Sequence, residues 1–392
     1  MDIALFGFGC VGQGLYDALG QSHGFKAGIQ KIGVKDRHKP RKIAAHHFSF
    51  DSHEILGRSD IQAIVELVDN AEDALAIVRT AMQRGLHVVS ANKKLLAEHF
   101  GTLFQLQQQH GVALLYEGAC AGSIPIIRNL EEYYDTETLH SISGIINGSS
   151  NYILTRMDKD GLDYHTALAQ AQELGFAEID PWLDVAGFDP KYKLVLLVVH
   201  AFGVIFKPEA VLNLGIQNIS AFDIEHAALK GQRIKLVAYA ARHGNHLQAY
   251  VLPRFVGTES NLINIDNEYN AVEIEGAFSG KQLLVGKGAG SYPTGAAVLS
   301  DVAALSHQYR YEYKKLHQNL ATNGHGQHTL HTDFTLRLYI RYTHDTELEP
   351  LDIIEVIEQY TSPRAKYLIA EVAFASLYAL QGKENKLFVA VV

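Results

Sequence analysis

Disulfide chemistry has almost nothing to work with in this chain: of 392 residues only two, Cys10 and Cys120, are cysteines, too few for a cross-linked framework. Long apolar runs are missing too. The longest, LVLLVVHAFGVIF at 194–206, contains a histidine and falls short of the about 20 residues that cross a bilayer. Positive charge is not in excess: 34 Lys and Arg face 43 Asp and Glu, a formal net charge of −9, so a general nucleic-acid-binding face is not expected. Met1-Asp2 leads straight into IALFGFG with no basic segment or cleavage site, so no secretory signal is expected. What remains is the composition of an ordinary globular protein, 47% hydrophobic and 20% charged. A cytoplasmic location is expected, with no membrane and no nucleic acid as partner. The length calls for two or three domains, since single cores stop growing near roughly 250–300 residues.

The first third alternates strand and helix patterns. IALFGF (3–8), KAGIQKIGVK (26–35), QAIVELV (62–68), LHVVS (86–90) and VALLYEGA (112–119) read as strands. CVGQGLYDALG (10–20), AEDALAIVRTAMQRG (71–85) and FGTLFQLQQQHG (100–111) read as helices. This rhythm predicts βαβ units in an α/β, Rossmann-type, doubly wound parallel sheet. From about Gly122 the pattern becomes α+β. A helix at 164–175 lies between the N-cap Asp163 and Gly175, a buried helix covers 190–206, and 247–256 and 270–277 alternate like antiparallel strands. A glycine-rich turn (286–295) and a helix (296–311) follow, then a polar linker QNLATNGHGQHTLH (318–331). Last comes a small α+β appendage: strand FTLRLYIRYT, helix PLDIIEVIEQY, helix or strand AKYLIAEVAFASLYAL, and strand KLFVAVV.

Gly7-Phe8-Gly9-Cys10-Val11-Gly12 is a G-x-G-x-x-G that follows a strand and opens a helix. Gly7 permits the tight turn, Gly9 the approach of a pyrophosphate, and Gly12 close helix–strand packing. The helix N-terminus offers unpaired N–H groups to the phosphates. Asp36, at the end of the second strand, stands where an acid holds the ribose hydroxyls of NAD. Around it, Lys35, Arg37, Lys39 and Arg41 would accept the 2′-phosphate of NADP. The density of positive charge tilts the reading toward NADP without excluding NAD.

HVVSANKK (87–94) ends a strand on Ser90 and Asn92, then places Lys93 and Lys94 at the carboxyl edge of the sheet, where open α/β sheets bind ligands. One lysine is expected to face the crevice and the other solvent; a surface helix opening on lysines would look the same. In GFDPKYKL, Asp189 and Lys193 are spaced i, i+4 and share a helix face at the start of an all-apolar, hence buried, run. A buried lysine needs an acid partner. The pair is either a helix-start ion pair or an active-site lysine whose proton is available to a substrate oxygen. Glu178, Asp180, Asp184 and Asp189 form an acidic cluster, which repels itself unless a cation sits within it. No histidine joins it and the spacing is not that of a calcium loop. A substrate ammonium with Lys193 satisfies it better than a metal; a solvated acidic turn is the plain alternative.

In their order and spacing, GFGCVGQGL, VSANKKLLA, YEGACAGSIPII, GIINGSSNYILTRM, AQELGFAEIDPWLDVAGFDPKYKL, GIQNIS and GKGAGSYPTGAAVLSD resemble the homoserine dehydrogenases over roughly residues 1–315. The resemblance implies NAD(P)-dependent interconversion of L-homoserine and L-aspartate 4-semialdehyde, a small-molecule step toward threonine and methionine. It implies that Lys93 and Lys193 are the catalytic lysines beside the reacting oxygen, with Asp189 orienting Lys193. Glu178 and Asp184 match positions that hold the substrate's amino group and hydroxyl end, and Gly148 and Ser149 positions beside it. The six residues of the glycine turn, with Lys35, Asp36, Arg37, Ser90, Asn92 and Gly288, are expected to contact the cofactor. Glu117, with backbone carbonyls at Cys120 and Gly122, resembles a monovalent-cation site for sodium or potassium.

The expected division is a dinucleotide-binding domain at 1–122, completed by a helix around 296–315, a substrate-binding and dimerisation domain at 123–295, and the appendage at 330–392. A homodimer or higher homo-oligomer is expected. There are departures from the family pattern: Asp69-Asn70 replaces two glycines, Ser149 a threonine, Phe176 a tyrosine, and Ser123 a glycine. The appendage carries the strand and helix pattern of an ACT regulatory domain, but Glu347-Leu348-Glu349-Pro350 stands where a Pro-Gly turn is usual. It reads equally as a degenerate regulatory domain or a structural one. Another two-domain amino-acid dehydrogenase, or a cofactor-binding regulator without activity, are the alternative readings.

Overall fold

The computed structural model describes residues 1–244, 246–323, 330–382 and 385–392. The chain divides into two compact units. One comprises Met1–Thr136, Val199–Ile205 and Gly286–Gly324, the other Glu137–Val198, Phe206–Val285 and His325–Val392.

In the first unit β1 (Asp2–Phe6), β2 (Gly28–Gly33), β3 (Phe48–Ser49), β4 (Ala63–Glu66), β5 (His87–Ser90) and β6 (Leu114–Leu115) form a parallel sheet in the order β3-β2-β1-β4-β5-β6. Its helices are α1 (Cys10–Gln21), α2 (Ser52–Leu56), α3 (Ala71–Gln83), α4 (Lys93–His110) and α5 (Ile126–Glu131). Ile3, Leu5, Ile64, Val65, Val88 and Val89 are fully buried, as strands covered on both faces require. The strand order reverses between β1 and β4, a doubly wound plan in which the crevice lies at the carboxyl ends of those two strands. β3 was not foreseen; two residues at a sheet edge leave no periodic signal. α4 begins at Lys93 instead of near residue 100 because the Asn92 side chain accepts the N–H of Leu95 at 3.0 Å. α3 is capped by Asn70, whose Oδ1 accepts the N–H of Asp73, and closes on Gly85 at φ +78°.

The second unit opens with β7 (Leu139–Ile145), followed by α6 (Gly148–Asp160), α7 (Tyr164–Glu173), α8 (Trp182–Val185) and α9 (Phe188–Phe202), whose last residues count with the first unit. Then come β8 (Leu212–Asn213), α10 (Ala221–Leu229), β9 (Arg233–His243), β10 (His246–Val256), β11 (Tyr269–Gly276) and β12 (Gly280–Lys287). The chain returns to the first unit with α11 (Ser291–Ser306) and α12 (Lys314–Asn323). α11 lies against α1, and a Cβ added to Gly14 would stand 2.0 Å from the Ser291 carbonyl oxygen. Of the expected linker, residues 318–323 belong to α12, 324–329 lie outside the described residues, and His331 donates its N–H to the Leu247 carbonyl.

The appendage contributes β13 (Thr335–Tyr342), β14 (Ile353–Thr361), β15 (Lys366–Ala373) and β16 (Phe388–Val391). They extend a ten-stranded sheet of order β12-β11-β7-β9-β10-β16-β13-β15-β14, with β8 also paired to β10. The four appendage strands follow the order of a βαββαβ unit, last-first-third-second. Both crossovers are 3₁₀ turns, Asp345–Leu348 and Phe374–Leu380, where helices would be usual.

PLDIIEVIEQY is therefore not a helix but largely β14. Its apolar residues recur at Ile353, Val356, Ile357 and Tyr360, a helical spacing. The ladder to β15 slips twice, between Ile353 and Glu355 and between Val356 and Glu358, which interrupts the strand's period of two, and Val356, Ile357 and Tyr360 are exposed rather than packed on one face. Among the described residues, no helix is long and apolar enough to cross a membrane.

Candidate active site

In the first unit the glycine turn has the shape its sequence requires. Gly7 sits at φ +95°, and a Cβ there would lie 2.3 Å from the Leu67 carbonyl oxygen. Gly9 is the N-cap of α1 without a side-chain cap, and nothing lies within 4 Å of where its Cβ would be. That leaves the approach to the helix N-terminus open for a phosphate. Gly12 serves the turn itself: its Cβ would meet the Gly7 carbonyl at 2.6 Å. Gly12 thus keeps α1 close to the turn that leaves β1, while Gly14, one step further along, meets another helix at the Ser291 carbonyl. Phe8 packs edge-on against Tyr16 and Phe48; Cys10 is exposed and Val11 half-buried.

A cavity of about 540 Å³ opens beside this turn, lined among others by Gly7, Gly9, Lys35, Asp36, Lys39 and Arg41. Asp36 Oδ1 accepts the N–H groups of His38 (2.7 Å) and Lys39 (3.2 Å), and chiefly the first of these holds its carboxyl below the usual range. Arg41 donates to the Asp36 carbonyl at 2.6 Å and lies over the Phe48 ring. Lys35 pairs with Asp73, and Arg37 stacks on Phe50. The residues fit a dinucleotide, with positive charge gathered at the end of β2.

At the end of β5, Ser90 is buried and Asn92 donates from Nδ2 to the Val68 carbonyl at 2.8 Å. Lys93 is half-buried at the first position of α4, while Lys94 is exposed, 3.9 Å from Glu98. Farther along, Glu117 is buried with both carboxylate oxygens held by backbone, accepting from Ile127 (2.8 Å) and Arg128 (2.9 Å). Asp301 accepts the Glu117 N–H at 2.8 Å and pairs with Arg128 at 2.9 Å. Burial, then the Asp301 charge, pushes the Glu117 carboxyl up to about 7. Cys120 is buried; Ala121 and Gly122 both have positive φ, and a Cβ on Gly122 would lie 2.3 Å from the Lys287 oxygen and 2.5 Å from that of Gly288. Ser123, where a glycine is usual, exchanges hydrogen bonds with the Lys287 backbone.

The second unit gathers a different set. The i, i+4 spacing on α9 puts Lys193 Nζ 2.7 Å from Asp189 Oδ2; the same ammonium donates to the Ile146 carbonyl at 2.7 Å, and both side chains are buried. Asn147, unremarked in the sequence, joins the acids: its Nδ2 donates to Asp184 Oδ1 and to Asp189 Oδ2, both at 2.8 Å. Its Oδ1 caps α6 by accepting the Ser150 N–H at 2.8 Å. An asparagine at the end of a strand and the start of a helix was the available signal. Gly148 cannot carry a side chain, since a Cβ would stand 2.8 Å from the Glu268 oxygen. Ser149 donates to the Phe176 carbonyl at 2.5 Å, and the Phe176 ring lies against Tyr152. The four carboxylates differ in setting. Glu178 and Asp180 are exposed, Asp184 is half-buried and Asp189 is buried. Glu178 is tied through its carbonyl to Gln172.

A glycine turn on a doubly wound sheet, with a buried lysine–carboxylate pair in a second unit, defines a class: an NAD(P)-dependent oxidoreductase. Comparison with known proteins narrows it. Residues 7–117 match the family model described as homoserine dehydrogenase, NAD binding domain, and residues 125–303 the one described as homoserine dehydrogenase. The homoserine dehydrogenase of Synechocystis is 37% identical over 76% of this chain and 72% of its own, and that of Lactococcus lactis 35% over 78% and 74%. Among solved structures, a homoserine dehydrogenase from Thiobacillus denitrificans is similar over 100% of this chain and 97% of that one, at 27% identity and a TM-score of 0.80. The chain belongs to the homoserine dehydrogenase family. Its reaction is the NAD(P)-dependent interconversion of L-homoserine and L-aspartate 4-semialdehyde.

Proposed function

We propose that Lys193 and Lys93 are the catalytic lysines of this reaction, with NADP the preferred cofactor. The observation that carries the proposal is the Lys193–Asp189 pair: a buried ammonium held on two sides, by a carboxylate and by the Ile146 carbonyl, has a fixed direction. When bound, the nicotinamide supplies the hydride acceptor. Lys193 relays the proton of the substrate hydroxyl, and Asp189 orients it. Glu178 and Asp184 hold the substrate's amino group and hydroxyl end, with Gly148 and Ser149 beside it. Lys93 acts from the start of α4. The preference for NADP is supported by Lys35, Lys39 and Arg41 lining the cavity while Asp36 is engaged by its own loop.

Gly7 to Gly12, Arg37, Ser90, Asn92 and Gly288 complete the proposed cofactor contacts. A monovalent cation enters this reading through Glu117 and the carbonyls of Cys120 and Gly122; each Glu117 carboxylate oxygen accepts one backbone N–H and keeps a further lone pair. A cytoplasmic homodimer or higher homo-oligomer completes it, checked by light scattering. The test of the mechanism is the initial rate at 340 nm with L-homoserine and each cofactor. NADP should give the higher kcat/KM. Lys193→Ala and Lys93→Ala should each lower kcat by at least about 10²-fold, the scale of one positioned acid–base group, with cofactor affinity retained. Turnover at the wild-type rate in either variant sinks that lysine's assignment.

A further inference from the structure

β4 ends on Glu66, a carboxylate with no exposed surface. One oxygen accepts the N–H of Val68 at 2.6 Å, the other the hydroxyl of Ser90 at 2.6 Å. Ser90 Oγ in turn accepts the N–H of Asn92 at 3.1 Å, and Asn92 returns to Val68 by donating to its carbonyl at 2.8 Å. These bonds close a ring across the ends of two neighbouring strands, where Glu66 and Ser90 face each other in the parallel register. Asn92 is also the cap of α4, and Lys93 is that helix's first residue. Val68, on the other side of the ring, lines the cofactor cavity together with Asp69.

A buried carboxylate facing neutral donors alone is costly to keep ionised. Burial pushes the Glu66 carboxyl up to about 7, the bonds from Ser90 and Val68 opposing it and the charge of Asp69 adding to it. Protonation would convert one acceptor oxygen into a donor, and one of the two bonds it receives would have to be remade. For holding two strands together an apolar pair would serve at less cost. What a polar side chain bonded to both turns provides, and an apolar one does not, is a fixed path for the chain at the carboxyl edge.

We infer that Glu66 is a positioning residue: its carboxylate sets the Ser90–Asn92 turn, and through it the direction in which α4 presents Lys93. The inference rests on Lys93 being a catalytic lysine, and the experiment separates the two. Glu66→Ala, Glu66→Gln, Lys93→Ala and the Glu66→Ala/Lys93→Ala double variant are compared by kcat and KM for L-homoserine, by NADPH binding from fluorescence, and by thermal unfolding.

Glu66→Ala should lower kcat on the order of 10²-fold, the cost of misplacing a catalytic group by about 1 Å, with KM changed far less. Glu66→Gln keeps an acceptor for Val68 but has no proton to lose. It should recover most of kcat, and its pH profile of kcat should depart from wild type around pH 7, near the carboxyl's own value of about 7. In the Lys93→Ala background, Glu66→Ala should cost little more, because both changes act on one group. Additive losses in that cycle, or a lowered unfolding temperature with kcat and the pH profile unchanged, overturn the role of Glu66 and leave Lys93 standing. Wild-type turnover in Lys93→Ala overturns the lysine assignment and this inference with it. If Glu66→Ala fails to fold, the Glu66→Gln profile decides alone: superimposable on wild type, it refutes the inference.

Discussion

A single amide organises the charged cluster of the second unit. Asn147 has two N–H donors and gives one to each of Asp184 and Asp189, so two carboxylates that would otherwise repel are bound to the same nitrogen. Asp189 Oδ2 receives both Asn147 and Lys193, so the amide also limits how much negative charge reaches the lysine. Replacement tests this without removing the helix cap, because Ser and Asp cap helices about as well as Asn. Asn147→Ser loses the bridging donors, each worth roughly 1.5–3 kcal/mol when bonded to a charged group. A fall in kcat/KM for L-homoserine of roughly 10- to 100-fold is expected, with NADPH binding intact. Asn147→Asp adds a third carboxylate and should be worse. Kinetics for Asn147→Ser that match wild type would show the bridge to be idle.

Among the elements, the ones legible in the sequence are those whose signal is local. The βαβ alternation, the glycine turn and the caps at Asp163 and Gly85 are written in consecutive residues, and so is the i, i+4 relation of Asp189 to Lys193. Asn147 is bonded to residues 37 and 42 positions away, and Glu66 to one 24 positions away, so their roles depend on how strands and helices meet. β9 was unread because it is buried on both faces through its middle, which erases alternation. β7 was unread because small residues, Ser141, Ser143 and Gly144, thin its pattern. Gly14 is a similar case: nothing in GQGLYDAL says that the glycine faces another helix. α1 and α11 approach there so closely that the Ser291 carbonyl occupies the place of a side chain, and a Cβ on Gly295 would lie 2.6 Å from the Gly14 backbone. Gly14→Ala must push backbone apart, with no flexible side chain to yield. It should cost roughly 1–3 kcal/mol, as overpacking typically does, despite alanine's better helix propensity. Chemical denaturation measures this, and an unchanged midpoint would mean that the helices separate freely.

At the scale of the whole molecule, the C-terminal segment completes one apolar cluster of the second unit; another, around Ile145, Val237 and Leu262, lies wholly before it. Leu212 and Leu214, with Tyr250 and Leu252 of β10, are buried in one cluster with Leu338, Ile340, Leu368, Phe374, Leu377 and Val389, all from beyond residue 330. Polar ties reinforce the join. The buried Asp223 of α10 accepts from Tyr339 Oη and Arg341 Nε at 2.8 Å each, and Asn218 donates to the carbonyls of Asn385 and Leu387. With both helical crossovers reduced to 3₁₀ turns, what this segment offers the rest of the unit is strand pairing and apolar surface. A chain ending at residue 330 would expose four large apolar side chains at roughly 1.5–3 kcal/mol each, a loss of about 6–12 kcal/mol. That matches the whole stability of an ordinary domain, about 5–15 kcal/mol. The shortened chain is therefore expected to be insoluble or unfolded, whereas a dispensable regulatory appendage would leave a soluble enzyme with an unchanged melting temperature. Asp223→Asn provides a gentler form of the same test. It keeps the side chain's size but removes the charge that Tyr339 and Arg341 bond to, leaving Arg341 its bond to the Asn218 carbonyl, so the melting temperature should fall by several degrees, the shift that about 1–3 kcal/mol produces. A melting temperature equal to wild type in both variants would mean that the segment, though part of the sheet, does not hold the unit together.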